Sequence, residues 1–280
     1  MSEPDSSDGT SQTEAALELI RMRIIDLTIG PGSRIDERLL LRQFGLGRTP
    51  AREAISRLAA EGFVHIRPNR GGVFVRSLDL DTIKQVIVAH QLVESVVGQL
   101  CTLDDDQLGD DLAAIQKQYR TVVSAGSFLE ITALNERFHL RIIDTLHNEF
   151  FAAFAVSTHR HVRRLLMYLY RLEQATPVEQ KRQFALNLVE HHAIIEAART
   201  RDHAAFAKLL PEHARATQDR LKRIVSSGTV PNLVIDLDSG ALQTGPPAGR
   251  RSDENAGKGT RPGTSPEEPN RPRTRRPTTK

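Results

Sequence analysis

Four polar side chains interrupt the apolar stripes of what read as long amphipathic helices: Asn135, His139, His191 and His213. Asn135 and His139 lie at the edge of a stripe made by Phe128, Ile131, Leu134, Phe138, Ile142 and Leu146. Four residues apart on a helix, they stand one above the other. His191 falls in a stripe with Phe184, Leu188, Ile195 and Ala198, and His213 in one with Phe206, Leu210, Thr217 and Leu221. If these last two helices form an antiparallel hairpin turning near Arg201-Asp202, the two histidines sit at one level. At ~1.5 Å per residue, ~10 residues before the turn and ~11 after it both amount to ~16 Å. Three neutral imidazoles and an amide oxygen converging there would suit Zn²⁺, Ni²⁺ or a similar divalent ion. The competing reading is three core histidines, each satisfied by a hydrogen bond. A metal-dependent hydrolase would also need a general base beside the ion. The chain has no His-Glu-x-x-His, and Glu136 and Glu190, though adjacent to ligand positions, are expected to point elsewhere, so no catalytic residue is assigned.

The helices that must position these groups occupy residues 78–227, with breaks expected near Asp104–Asp106, Gly126, His147-Asn148, Thr176-Pro177 and Arg201-Asp202. That spacing predicts an antiparallel bundle of about six helices and no strand. Pro211 lies inside the last helix, where it is expected to kink the chain and could shift His213.

A second segment offers different chemistry. In Gln43–Gly62 a glycine-bracketed turn, Gly45-Leu46-Gly47, precedes a helix whose Ala51, Ala54, Ile55, Leu58 and Ala59 form one apolar face. Arg48, Thr49 and Arg52 lie off that face near the helix start, as in a recognition helix that reads a DNA groove. Upstream, Ser11-Gln12-Thr13-Glu14 fits a capping box opening a first helix at Ser11, with Leu17, Ile20, Ile24 and Leu27 as its buried stripe. Gly30-Pro31-Gly32 breaks it, and Asp36–Phe44 forms a second short helix. Downstream, Phe63–Arg67 and Gly72–Arg76 are β-prone runs around a basic, glycine-containing tip at Pro68–Gly71. Three helices followed by a hairpin make a winged helix-turn-helix.

Composition agrees. Residues 14–78 carry eleven Arg against seven acids, whereas residues 79–228 carry 18 basic and 19 acidic residues within an overall charge of +3. An arginine-rich module favours phosphate contact. The one cysteine, Cys101, excludes an internal disulfide and fits a reducing cytoplasm. No apolar run approaches the ~18 residues of a membrane span. Eight of the 14 prolines fall in residues 229–280, which read as a disordered basic tail. The expected organisation is therefore a disordered N-terminus over 1–10, a DNA-binding domain over 11–78, a helical domain over 79–228, and the tail.

The run PGSRIDERLLLRQFGLGRTPAREAISRLAAEGFVHIRPNRGGVFV resembles the N-terminal domain of GntR-type bacterial transcription regulators. The resemblance implies DNA contacts by Arg38, Arg48, Thr49, Arg52, Arg70 and Gly71. Gly47 stands where the family usually has serine, so a side-chain helix cap is lost. The C-terminal half resembles the all-helical effector domain of the FadR subfamily in its metal-binding branch. Asn135 with Phe138-His139, Glu190-His191 with Ile194, and His213 22 residues later match its ligand pattern. Asn135 replaces the usual aspartate and should weaken binding or change the preferred ion. His90, before Val93-Glu94, occupies a slot where the family often has an effector-binding arginine, so the effector is expected to differ or bind more weakly. These features imply a cytoplasmic, homodimeric regulator of double-stranded operator DNA, a repressor controlled by a small organic acid bound at Zn or Ni. The alternatives are a DNA-binding dimer whose helical domain is only structural, and the hydrolase.

Overall fold

In the computed structural model residues 6–67 and 71–226 are described, with side chains from Gln12 onward except those of residues 37, 39 and 43. The expected tail and Arg70 lie outside the described residues.

The N-terminal part is three helices and a small sheet: α1 (Ser6–Ile25), β1 (Arg34–Ile35), α2 (Glu37–Phe44), α3 (Arg48–Ala60), β2 (Val64–Arg67) and β3 (Gly72–Val75). Leu17, Ile20 and Ile24 of α1 pack on Ala51, Ala54 and Leu58 of α3, closed off by Leu40, Phe63 and Val75. Two boundaries of α1 differ from expectation. The helix begins at Ser6, so residues 6–10 are helical and the Ser11 segment lies within the helix. Its polar residues reach across to α3 instead: the Thr13 hydroxyl donates to Glu53 at 3.2 Å, and Arg57 pairs with Glu14 at 2.6 Å. The helix also ends at Ile25, and Leu27 leaves it with φ 64°; Ile29 enters the core in its place.

Asp36 caps α2 by accepting from the Arg38 backbone N–H at 2.9 Å, and Gly45 closes it with φ 64°. At the start of α3, Gly47 provides no side-chain cap, as its identity requires. The end is better secured. Gly62 at φ 81° lets the Phe63 N–H reach Leu58 O at 2.9 Å and its own N–H reach Ala59 O at 3.1 Å, which occupies carbonyls the helix leaves unpaired. The hairpin pairs Val64 with Val75 through Arg67 with Gly72. β1, too short to leave a pattern in the sequence, adds a third strand on the far side of β3, giving the order β1-β3-β2.

Six helices follow: α4 (Leu80–Leu100), α5 (Leu108–Ala125), α6 (Phe128–Ile143), α7 (Glu149–Glu173), α8 (Pro177–Arg199) and α9 (His203–Ser226). Every expected break falls between two of them, and no strand occurs there among the described residues. The main packed pairs are α4 with α9 and α7, α5 with α6 and α8, α6 with α7, and α8 with α9. Helix α9 continues through Pro211, and His213 stays buried and aimed at its partners, so the proline does not displace it. Beside that point Gly98 of α4 packs on α9 so closely that an added Cβ would stand 3.1 Å from Ala207 Cα. The two parts of the chain are joined by more than the linker at 76–79. Arg164 of α7, 1% exposed, donates to Arg76 O at 2.6 Å, and Arg171 donates to Asp26 O at 2.5 Å. His161 of α7 stacks on Phe63 and donates from Nε2 to Glu61 O at 2.8 Å, at the end of α3.

Candidate functional site

The bundle interior holds an unusual concentration of imidazoles. His139 on α6, His191 on α8 and His213 on α9 are all buried, and each offers a nitrogen within 4.8 Å of the others. The level match expected for His191 and His213 is met: their Nε2 atoms lie 3.3 Å apart.

The outward-facing nitrogens fix the tautomers. Gln116 of α5 donates its amide N–H to Leu188 O at 3.0 Å, which turns its carbonyl oxygen toward His191 Nδ1 at 2.9 Å. His191 must therefore carry its proton on Nδ1. The Glu190 carboxylate lies 2.8 Å from His213 Nδ1, which places that proton on Nδ1 as well. Glu190 thus turns toward the site, contrary to expectation, while Glu136 pairs away from it with Arg163 at 2.9 Å. His139 Nδ1 lies 3.2 Å from Glu94 Oε1 as a close charge contact, and neither of its ring nitrogens has a hydrogen-bond partner.

Two Nε2 lone pairs then face each other at 3.3 Å, an arrangement that calls for a proton or a cation between them. Burial, reinforced by the neighbouring imidazoles, drives His191 well below the ordinary histidine range, so His191 itself disfavours holding a proton there. Burial likewise pushes His139 down to about 4 against the pull of Glu94. A tetrahedral ion with Zn–N bonds of ~2.05 Å separates its nitrogens by ~3.3 Å, which the observed pair matches. Asn135, one turn before His139, is buried with its Oδ1 lacking any partner, as a fourth ligand would be before coordination. The donor set therefore fits a borderline divalent cation, with Gln116, Glu190 and Glu94 as the outer partners that orient such ligands.

A pocket adjoins this cluster. His90, Asn135, Glu190 and His213 form one side, and Gln183, Asn187, Thr217 and Arg220 line the remainder with apolar neighbours. Its free volume of about 30 Å³ admits an ion and a water or two. Arg220 is buried, pairs with Glu173 at 2.9 Å and lies over the Tyr170 ring at 4.6 Å. Sequence reasoning missed Gln183, Asn187 and Arg220. They lie on successive turns of the histidine-bearing helices at three- and four-residue steps (183, 187 and 190 on α8, and 213, 217 and 220 on α9), a polar stripe that could have been read beside the apolar one.

His90 is buried on this wall, one turn from Glu94 on α4. His159 of α7, which no sequence pattern singled out, meets Glu94 Oε1 at 2.7 Å through its Nε2. Burial alone would push the Glu94 carboxyl up, but the His139 and His159 imidazoles outweigh it and hold it well below the usual range.

At the other end of the molecule Arg38, Arg48, Thr49 and Arg52 are all exposed, with Arg48, Thr49 and Arg52 on one end of α3 as the helical pattern required. Gly71 precedes β3 at the hairpin tip. The geometry joins a basic helix-turn-helix to a histidine-lined bundle.

Residues 12–75 match the family model described as bacterial regulatory proteins of the gntR family, and residues 85–216 match the FCD domain. The chain belongs to the GntR family. Its FCD domain gives this GntR regulator the FadR-like arrangement, and it is a DNA-binding transcription regulator rather than an enzyme. It is 23% identical over 218 residues to an uncharacterised HTH-type transcriptional regulator, YdhC, of Bacillus subtilis, covering 75% of this chain and 90% of the relative. With the gluconate operon transcriptional repressor of the same organism it shares 25% identity, over 77% of this chain and 87% of the relative. The solved structure of Escherichia coli McbR/YncC has the same fold, with a TM-score of 0.64 at 18% identity over 77% of this chain and 98% of the other. No helix among the described residues is long and apolar enough to cross a membrane.

Proposed function

We propose that this GntR-family regulator is a cytoplasmic homodimeric repressor whose operator affinity is set by a small organic acid bound beside a divalent metal in the helical domain. The observation that carries the reading is the pair of Nε2 atoms of His191 and His213, 3.3 Å apart and buried against a polar pocket. Asn135, His139, His191 and His213 would hold the ion, Zn²⁺ or Ni²⁺, which when bound supplies a Lewis-acidic anchor for a carboxylate. The chain's own groups select the rest of the ligand. Arg220, paired with Glu173, offers guanidinium donors across the pocket, while Gln183, Asn187 and Thr217 offer amides and a hydroxyl suited to a hydroxylated acid. A gluconate operon repressor among the relatives supports that class. With His90 in place of a guanidinium on the α4 wall, the effector leans on Arg220 for guanidinium donors.

The small free volume means that an organic acid enters only if α8 and α9 side chains move. Helix α7 carries His159 beside the site and, within the next five residues, His161 and Arg164 against the end of α3 and the linker. Displacement of α7 would therefore move the recognition helices of a dimer relative to their half-sites. On DNA, Arg48, Thr49 and Arg52 read base edges in the major groove. Arg38 and the wing tip at Arg70 and Gly71 meet the backbone or the adjacent groove. The DNA-binding part takes in all of α1 from Ser6 rather than starting at residue 11, and effector binding and dimerisation fall to the six helices that follow it.

Thermal shift with Zn²⁺, Ni²⁺ and a panel of hydroxy carboxylates tests the reading. Stabilisation by metal, and further stabilisation by an acid only when metal is present, is expected. Equal melting curves under all conditions would leave the helical domain as a structural dimerisation module.

A further inference from the structure

We infer that His90, Glu94 and His159 form a second divalent-cation site, separate from the His139–His191–His213 cluster and linked to it through Glu94. Three side chains from two helices meet here: His90 and Glu94 from successive turns of α4, and His159 from α7. All three are buried, and each offers a ligand atom within 4.8 Å of the others.

The satisfaction of these groups is what points to an ion. Glu94 is 1% exposed, and its Oε2 has no hydrogen-bond partner; neither ring nitrogen of His90 has one either. The groups around the carboxylate are imidazoles: His159 Nε2 at 2.7 Å, His139 Nδ1 at 3.2 Å and His90 Nε2 at 4.0 Å from Oε1. A proton shared between Glu94 and His159 would satisfy Oε1 alone. It would leave Oε2 and both His90 nitrogens buried without partners, which native interiors seldom tolerate. A cation accepts a lone pair from each of the three residues at once, gives one His90 nitrogen a partner, can engage Oε2 as well as Oε1, and neutralises the carboxylate. Two imidazoles and one carboxylate are a donor set that Zn²⁺ takes readily.

The required movement is small. Ligand atoms about a tetrahedral Zn²⁺ stand ~3.3 Å apart, so the His159–Glu94 contact opens by ~0.6 Å and the His90–Glu94 separation closes by ~0.7 Å. Because Glu94 also faces His139 Nδ1, an ion here would adjust the orientation of a ligand of the first cluster. It would also put positive charge behind the pocket wall that His90 lines.

The test is metal stoichiometry by elemental analysis after dialysis against Zn²⁺ and removal of free ion, on the full chain and on His90→Asn, His159→Asn and His191→Ala, with circular dichroism confirming folding of each. The expected result is two equivalents of Zn²⁺ in the wild type and one in each variant. Co²⁺ substitution adds a second readout, because His159→Asn and His191→Ala should remove different visible bands. One equivalent in the wild type that survives His159→Asn but not His191→Ala would overturn the second site and leave the first. One equivalent lost in His159→Asn and kept in His191→Ala would do the reverse.

Discussion

Replacing Gln116 with methionine tests the metal centre without touching any ligand. Methionine keeps roughly the shape of the side chain but removes the oxygen that accepts from His191 Nδ1 at 2.9 Å. The Leu188 carbonyl loses only its second donor, since it lies inside α8. His191 then has a buried N–H without an acceptor, a cost of about 1–3 kcal/mol that it can escape by moving its proton to Nε2. That tautomer cannot bind the ion, so coordination has to reverse it. Loss of such an outer partner typically weakens metal affinity by about 10–100-fold. At a free Zn²⁺ concentration of about 100 times the wild-type Kd, the ion stabilises the protein by about 2.7 kcal/mol. The same concentration should stabilise the variant by about 0.4–1.4 kcal/mol. With about 2–4 °C per kcal/mol for a domain of this size, a wild-type shift of about 5–11 °C should shrink to about 1–6 °C. Competition against a chelator of known affinity gives Kd, and the melting shift checks it independently. An unchanged Kd in Gln116→Met would refute the argument that Gln116 sets the tautomer, and with it the lone-pair case for an ion between His191 and His213.

Three further outcomes are expected. Asn135→Asp should tighten metal binding by about tenfold or more, since an anionic oxygen replaces a neutral one at a hard–borderline ion; equal affinity in the chelator assay would remove residue 135 from the ligand set. Arg52→Ala should cost specific operator binding about 1–3 kcal/mol while helicity and dimerisation persist; discrimination between operator and random DNA that stays intact would take Arg52 out of base readout. Gly98→Val should destabilise the bundle by about 1–3 kcal/mol, because its Cβ would already stand 3.1 Å from the Ala207 backbone. A urea midpoint equal to wild type would show that α4 and α9 can separate there freely.

The residues that repeat or pack were the ones the sequence made legible. Apolar stripes at helical spacing located six bundle helices, and the Gly45-Leu46-Gly47 turn with its flanks located the helix-turn-helix. His191 and His213 could be matched because both measure their distance from one turn, so a single rise per residue brings them level. His159 could not, since its partner Glu94 is 65 residues away on a helix whose rotation no pattern specifies. β1 escaped for a related reason: two residues contain no alternation to read, and the strand exists because β3 has a free edge. The start of α1 was misplaced because a capping signature describes local bonds only. Arg57, 43 residues on, claims the Glu14 side chain of that signature, and Glu53 takes the neighbouring Thr13 hydroxyl. Glu190 was misjudged likewise, for its neighbour His191 faces the core while the long glutamate side chain bends back to His213.

The claim that the histidine cluster governs DNA binding is tested most directly by operator affinity. With an operator selected from genomic DNA, the wild type and His191→Ala would be titrated with and without Zn²⁺ and the carboxylate that gives the largest thermal shift. In the metal-loaded wild type the acid should change operator affinity by about 5–150-fold, the usual span of such coupling, and in His191→Ala by less than about twofold. An equal change in both proteins, or none in either, would contradict the account.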